Sequence, residues 1–86
     1  MPRVLMYCTS SCPYCQAADR LLTRKSAEIE RVRVDLEPAR RAEMEKLSGR
    51  RTVPQIWIGG RHVGGCDDLH DLEESGELDQ LLAKAT

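Results

Sequence analysis

The sequence predicts an α/β fold, a four-stranded mixed sheet flanked by helices in the order β-α-β-α-β-β-α. Three observations carry this expectation. The chain opens on an almost wholly apolar run, Arg3 to Cys8 (RVLMYC), the next segment repeats apolar residues at helical spacing, and two later strand-like runs flank a Gly-Gly pair.

Arg3 to Cys8 suits a strand covered on both faces at the sheet centre. From Pro13 to about Lys25, the residues Cys15, Ala18, Leu21 and Leu22 form one buried stripe, so the first helix packs on the sheet. Between Ile29 and Leu36, the residues Val32, Val34 and Leu36 alternate with Arg31, Arg33 and Asp35, the period of an edge strand with one wet face. Pro38 opens a second helix, from about Ala39 to Ser48, with Met44 and Leu47 facing inward and Gly49 at its end. Gln55 to Ile58 (QIWI) and Arg61 to Val63 read as antiparallel partners, because Gly59-Gly60 supplies the positive φ that tight hairpins need. After Gly64-Gly65, the segments Cys66 to Ser75 and Glu77 to Ala85 read as two short helices broken near Gly76, with Leu69, Leu72, Leu78, Leu81 and Leu82 apolar. A βαβ start with a right-handed crossover, followed by a hairpin and a closing helix, is a thioredoxin-like arrangement.

Eighty-six residues make a single domain, residues 1–86, with one core and no room for a separate cofactor domain. A net charge of -1 with both signs spread along the chain argues against a nucleic-acid partner, which calls for concentrated positive charge. No segment approaches the roughly 18 apolar residues of a membrane span, and no secretory n-region is evident, so the expected location is cytoplasmic. Four cysteines in so short a chain suit either a secreted disulfide framework or working thiols; the missing leader favours working thiols.

The most informative feature is Cys12-Pro13-Tyr14-Cys15, directly after the first strand. If Pro13 takes the first helical position, Cys12 flanks the helix and Cys15 lies in its first turn. Side chains three apart on a helix are neighbours, so the pair can switch between dithiol and disulfide. Unpaired backbone N–H groups and the positive end of the helix dipole face the Cys12 sulfur and favour its thiolate. Cys12 is then the nucleophile. Cys15 is placed to attack a mixed disulfide formed on it. Half of a zinc site is the competing reading of this spacing, but a second such pair is absent from the sequence.

Several units together resemble the glutaredoxins, specifically the short bacterial dithiol kind. They are Tyr7 ahead of the loop, Cys12-Pro13-Tyr14-Cys15, Ser48-Gly49-Arg50, Thr52-Val53-Pro54-Gln55-Ile56 and Gly64-Gly65-Cys66-Asp67-Asp68-Leu69. The resemblance covers essentially the whole chain. It implies a glutathione-dependent thiol–disulfide oxidoreductase that reduces protein disulfides and glutathione mixed disulfides. It also implies that Pro54 follows a cis peptide bond beside the thiols. Thr52 and Val53 would then line the site, with the Val53 main chain pairing with glutathione as an added strand. Gly65, Cys66, Asp67 and Asp68 make the opposite wall. There, backbone N–H groups hold the γ-glutamyl carboxylate and Asp67 or Asp68 pairs with its ammonium, although helix capping explains the same aspartates. Tyr14 sits at the rim, and Arg41 and Arg50 are candidates for the glycine carboxylate.

One departure from the family pattern is Thr9, which stands where many relatives carry a lysine three residues before the nucleophile. Loss of that cation weakens support for the thiolate. Cys8 reads as a small apolar filler, and Cys66 as a buried bystander or a secondary oxidation site. His62 and His70 lack a second histidine at ligand spacing, and Trp57 reads as sheet packing. The resulting expectation is a monomer that uses glutathione as reducing co-substrate, binds no metal or tight cofactor, and acts on disulfide-containing or glutathionylated proteins. Two alternatives are a [2Fe–2S] carrier bridged by two protomers, which a proline at position 13 disfavours, and a zinc module built from Cys8, Cys12, Cys15 and Cys66.

Overall fold

The computed structural model describes residues 3–84. Its elements are β1 (Arg3–Cys8), α1 (Pro13–Arg24), β2 (Glu28–Arg33), α2 (Pro38–Ser48), β3 (Gln55–Ile58), β4 (Arg61–Gly64), α3 (Cys66–Ser75) and α4 (Glu77–Lys84). Ala85, the expected end of the last helix, lies outside the described residues. The sheet order is β2-β1-β3-β4. β1 runs parallel to β2, with Val4 opposite Ile29 and Tyr7 opposite Val32, and antiparallel to β3, with Met6 opposite Ile56. The apolar opening run is thus central, and the alternating strand lies at an edge. This is the thioredoxin-like fold. The hairpin between β3 and β4 turns on Gly59 and Gly60 at φ 56° and 85°, both in the left-handed region that glycine enters without strain.

Side-chain alternation along β1 divides the core into two layers. Val4, Met6 and Cys8 join Ile56 and Ile58 against Cys15, Ala18, Leu21 and Leu22 of α1, Leu69 of α3, and Leu78 and Leu82 of α4. Tyr7 points the other way, into a smaller cluster with Val32, Val34 and Met44. Three helices therefore cover one face, while α2 covers the other through Met44, its one buried residue among those described.

Two inward assignments are corrected. Leu36 is 68% exposed. β2 stops at Arg33, whose carbonyl accepts from the N–H groups of Leu36 (3.1 Å) and Glu37 (3.2 Å), so a turn replaces the last alternation. Val34 stays buried because its N–H still reaches the Cys8 carbonyl at 3.0 Å. Leu47 is 60% exposed and borders an open groove of about 600 Å³ that Leu5, Ile29 and Trp57 also line. The other side chains of α2 are mostly charged or small, so Met44 is its apolar anchor, Glu43 accepts from the Tyr7 hydroxyl at 2.6 Å, and Leu47 is left over the groove.

Candidate active site

β1 delivers the chain to a short loop, and Cys12 becomes the N-cap of α1 with extended backbone (φ -100°, ψ 110°). Pro13 opens the helix, where a missing N–H costs nothing. The Cys15 N–H donates to Cys12 Sγ at 3.2 Å, and the Gln16 N–H closes the first helical bond to the Cys12 carbonyl at 3.1 Å. A sulfur thus occupies the capping position that Ser or Asp usually fills, and the donor it receives strengthens as charge develops on it.

The two thiols differ in surroundings. Cys12 is half-buried, whereas Cys15 is 3% exposed within the main core. Burial foremost, then the hydrogen bond with Cys12, pushes the Cys15 thiol up to about 12, against an opposing contribution from the Thr9 backbone. Cys15 is therefore protonated at neutral pH. All four cysteines are free thiols.

The next wall is Thr52-Val53-Pro54. The Val53-Pro54 bond is cis and Pro54 is buried. The Val53 carbonyl oxygen lies 3.7 Å from Cys12 Sγ, where it can accept from the thiol. No hydrogen bond found among the described residues uses the Val53 N–H. Gln55, wholly buried, anchors this segment: its Nε2 donates to the Thr52 carbonyl at 3.1 Å and to Thr52 Oγ1 at 3.3 Å.

The third wall is the start of α3. Gly64 adopts φ 118°, and a Cβ built on Gly65 would touch the Pro54 carbonyl at 3.4 Å, so this wall abuts the proline. Asp68 Oδ2 accepts from the Gly65 N–H and from Arg50 Nη1, each at 2.9 Å. The Gly65 donor first, then Arg50, holds its carboxyl below the usual range. Asp68 thus performs the capping role and ties down the loop after α2, while Asp67 is exposed beside it. Cys66 opens the helix, buried, with its thiol raised mainly by burial; its Sγ lies 3.4 Å from His70 Nδ1, which also sits 2.8 Å from the Cys66 carbonyl.

Two contacts join these segments, Cys12 Sγ to the Val53 carbonyl and Gly65 to the Pro54 carbonyl, so the thiols, Thr52 to Pro54 and the start of α3 are neighbours. Tyr14, between the two cysteines in the chain, is 63% exposed. The two arginines do not share a place: Arg50 is bound to Asp68, whereas Arg41 Nη2 donates to the Arg51 carbonyl at 3.1 Å and pairs with Glu45 at 3.5 Å. Arg41 thus lies next to Thr52, and Arg50 belongs to the α3 wall. Cys8 is a core residue whose S–H points at the Val32 carbonyl, 3.7 Å away. Among the described residues no group of three or more His, Cys, Asp or Glu side chains could hold a metal ion. No helix there is long and apolar enough to cross a membrane. Gln55, the polar residue that opens the apolar run QIWI, is the buried polar side chain among the described residues.

Known proteins resemble this chain in sequence and in fold. The family model described as Glutaredoxin matches residues 4–63. The chain is 53% identical over 83 residues to a glutaredoxin of Pseudomonas aeruginosa, covering 96% of this chain and 99% of that one. It is 48% identical over 82 residues to glutaredoxin 3 of Escherichia coli K12, with 95% and 99% covered. Among solved structures, a buckwheat glutaredoxin–glutathione complex superposes with a TM-score of 0.91 at 29% identity, covering 98% of this chain and 79% of that one. The glutaredoxin of Brucella melitensis gives 0.86 at 50% identity, covering 100% and 94%.

Proposed function

Since this chain belongs to the glutaredoxin family and is a glutathione-dependent thiol–disulfide oxidoreductase, we propose that it works as a dithiol enzyme with Cys12 as nucleophile and Cys15 as resolving thiol. The observation that supports this most is the half-buried Cys12 sulfur at a helix N-cap, receiving the Cys15 N–H, beside a fully buried and protonated second thiol.

The Cys12 thiolate attacks one sulfur of a substrate disulfide; that S–S bond breaks, a Cys12–substrate disulfide forms, and the other half leaves as a thiolate that takes up a proton. Cys15 then gives up its proton and attacks Cys12 Sγ, releasing the second half of the substrate and closing Cys12–Cys15. Once Cys12 is in a disulfide, its own contribution to the raised Cys15 thiol is gone and only burial and lesser neighbours oppose ionisation. One glutathione opens the Cys12–Cys15 bond to leave glutathione on Cys12. A second removes it as oxidised glutathione. Two electrons thus pass from two glutathiones to one disulfide. When the substrate is a glutathionylated protein, glutathione lands on Cys12 directly and Cys15 is not needed.

Thr52, Val53, Gly65, Cys66, Asp67 and Asp68 line the glutathione groove, with Pro54 behind the thiols and Tyr14 over the rim. The Val53 N–H pairs with the peptide, and the N–H groups opening α3 receive the γ-glutamyl carboxylate. Arg41, beside Thr52 and held by Glu45 and the Arg51 carbonyl, and Arg50, held by Asp68, are the candidates for the glycine carboxylate. The protein acts as a single-domain monomer in a reducing, cytoplasmic setting, on disulfide-containing and glutathionylated proteins, without bound metal or prosthetic group. The test is turnover of a glutathione mixed disulfide with glutathione and its reductase, beside the same assay driven by thioredoxin reductase. Cys12→Ser should be inactive and Cys15→Ser active on this substrate; activity retained in Cys12→Ser contradicts the roles.

A further inference from the structure

We propose that Gln55 and His62 are positioning residues for glutathione, acting through the Thr52–Val53 peptide; this rests on Thr52 to Pro54 being the glutathione wall. Gln55 is the one buried polar or charged side chain among the described residues, and it sits in β3 where an apolar residue would serve packing as well. Its amide is engaged at both ends. Nε2 holds the Thr52 carbonyl and hydroxyl, and Oε1 lies 2.8 Å from His62 Nε2 on β4. The His62 ring rests on Trp57 with centroids 4.6 Å apart, and Trp57 meets Tyr7 of β1 edge-on at 5.4 Å. A train of rigid rings therefore runs from the central strand to the Gln55 amide.

The consequence follows from peptide geometry. The Thr52 carbonyl and the Val53 N–H belong to one planar trans unit and point in opposite directions. When Gln55 pulls the carbonyl inward, it aims the N–H the opposite way, toward the proposed glutathione groove. Without that bond the peptide plane is free to rock, and glutathione must order it on binding. Arg50 and Asp68 are the charged groups that act on His62. Burial foremost, then Arg50, lowers its pKa; with Gln55 Nε2 committed to Thr52, the Oε1 that faces the ring accepts, which selects an Nε2–H on His62.

The test titrates the ¹⁵N-labelled protein with S-methylglutathione, which cannot react with Cys12, and follows the Val53 amide. It is repeated for Gln55→Leu and for His62→Phe, which keeps a ring over Trp57 and removes the donor. Steady-state kinetics and iodoacetamide alkylation of Cys12 accompany it. In the unaltered protein the Val53 amide should shift on titration. Gln55→Leu should weaken binding and raise KM about tenfold, and His62→Phe severalfold, with kcat and the alkylation rate within about twofold. If Gln55→Leu does not fold, His62→Phe decides. Unchanged affinity in the variants, with Val53 still shifting, overturns the positioning role and leaves the groove standing. A fall in kcat and alkylation in step with the rise in KM overturns it too, since that marks a residue needed only for the core. A Val53 amide that does not move in the unaltered protein removes the groove reading, and the positioning role with it.

Discussion

Replacing Gly64 by alanine should both destabilise the fold and open the α3 wall. A Cβ there would stand 2.8 Å from Asp68 Cγ, closer still to its Oδ2, and 3.1 Å from Arg50 Nη1, on a backbone at φ 118°. The conformation alone costs an alanine about 1–3 kcal/mol. Asp68 must also move, which breaks its bond to the Gly65 N–H; loss of such a cap costs about 1 kcal/mol. The Arg50 pair adds little, because both side chains are more than two-fifths exposed. Together these give about 2–4 kcal/mol, and at roughly 4–8 °C per kcal/mol for a domain of this size, Tm should fall by roughly 8–32 °C. Thermal melts of Gly64→Ala, Asp68→Ala and the double variant separate the causes. If the clash acts through Asp68, Gly64→Ala should cost about 1 kcal/mol less in the Asp68→Ala background. Equal cost in both backgrounds refutes the clash, and a single variant within about 0.5 kcal/mol of the parent refutes the strain as well.

Three further expectations concern the thiols, the second core layer and acid. In Cys12→Ser, iodoacetamide should label Cys15 only slowly near neutral pH, because burial still holds that thiol raised; rapid labelling contradicts the burial. Met44→Ala should cost about 2–5 kcal/mol by urea unfolding, since Met44 is the buried residue of α2 among those described; a cost under about 1 kcal/mol would mean that polar contacts such as Tyr7 with Glu43 hold the helix instead. Hydrogen bonding lowers the carboxyls of Asp19 (from Arg31), Asp35 (from Arg33, to about 2), Glu43 (from Tyr7) and Asp68 (from Gly65). Groups so depressed contribute stability that is complete above their unfolded pKa of about 4 and drains as pH falls through the folded values, Asp35 last. His62, lowered by burial, adds a loss that starts as pH falls through its unfolded value of about 6.5, so melts should decline below about pH 6.5 and more steeply between about pH 4 and pH 2; a flat profile to pH 2 contradicts those pairings.

The parts of the site set by local rules are legible in the sequence alone. Pro13 at the first helical position, a stripe from Cys15 to Leu22 and an apolar strand feeding the loop place the two thiols without knowledge of the rest of the chain. The glycine hairpin is equally local. Leu36 and Leu47 misled because apolar character alone does not say whether a partner surface exists: a turn ends β2 early, and α2 meets the sheet through Met44 and the bond from Tyr7 to Glu43, which leaves Leu47 outside. Arg50 with Asp68, and Gln55 with His62, are pairs 18 and 7 residues apart in the chain. Among many charged residues nothing local says which arginine meets which carboxylate, so the groove's polar wiring became visible only with the strands and α3 in place.

The most direct measurement is mass spectrometry of Cys15→Ser after brief exposure to oxidised glutathione, with the modified cysteine located by peptide mapping. One glutathione on Cys12, removed again by reduced glutathione, is the expected result. An adduct that forms first on Cys8 or Cys66, or none at all, contradicts Cys12 as the sulfur that takes glutathione.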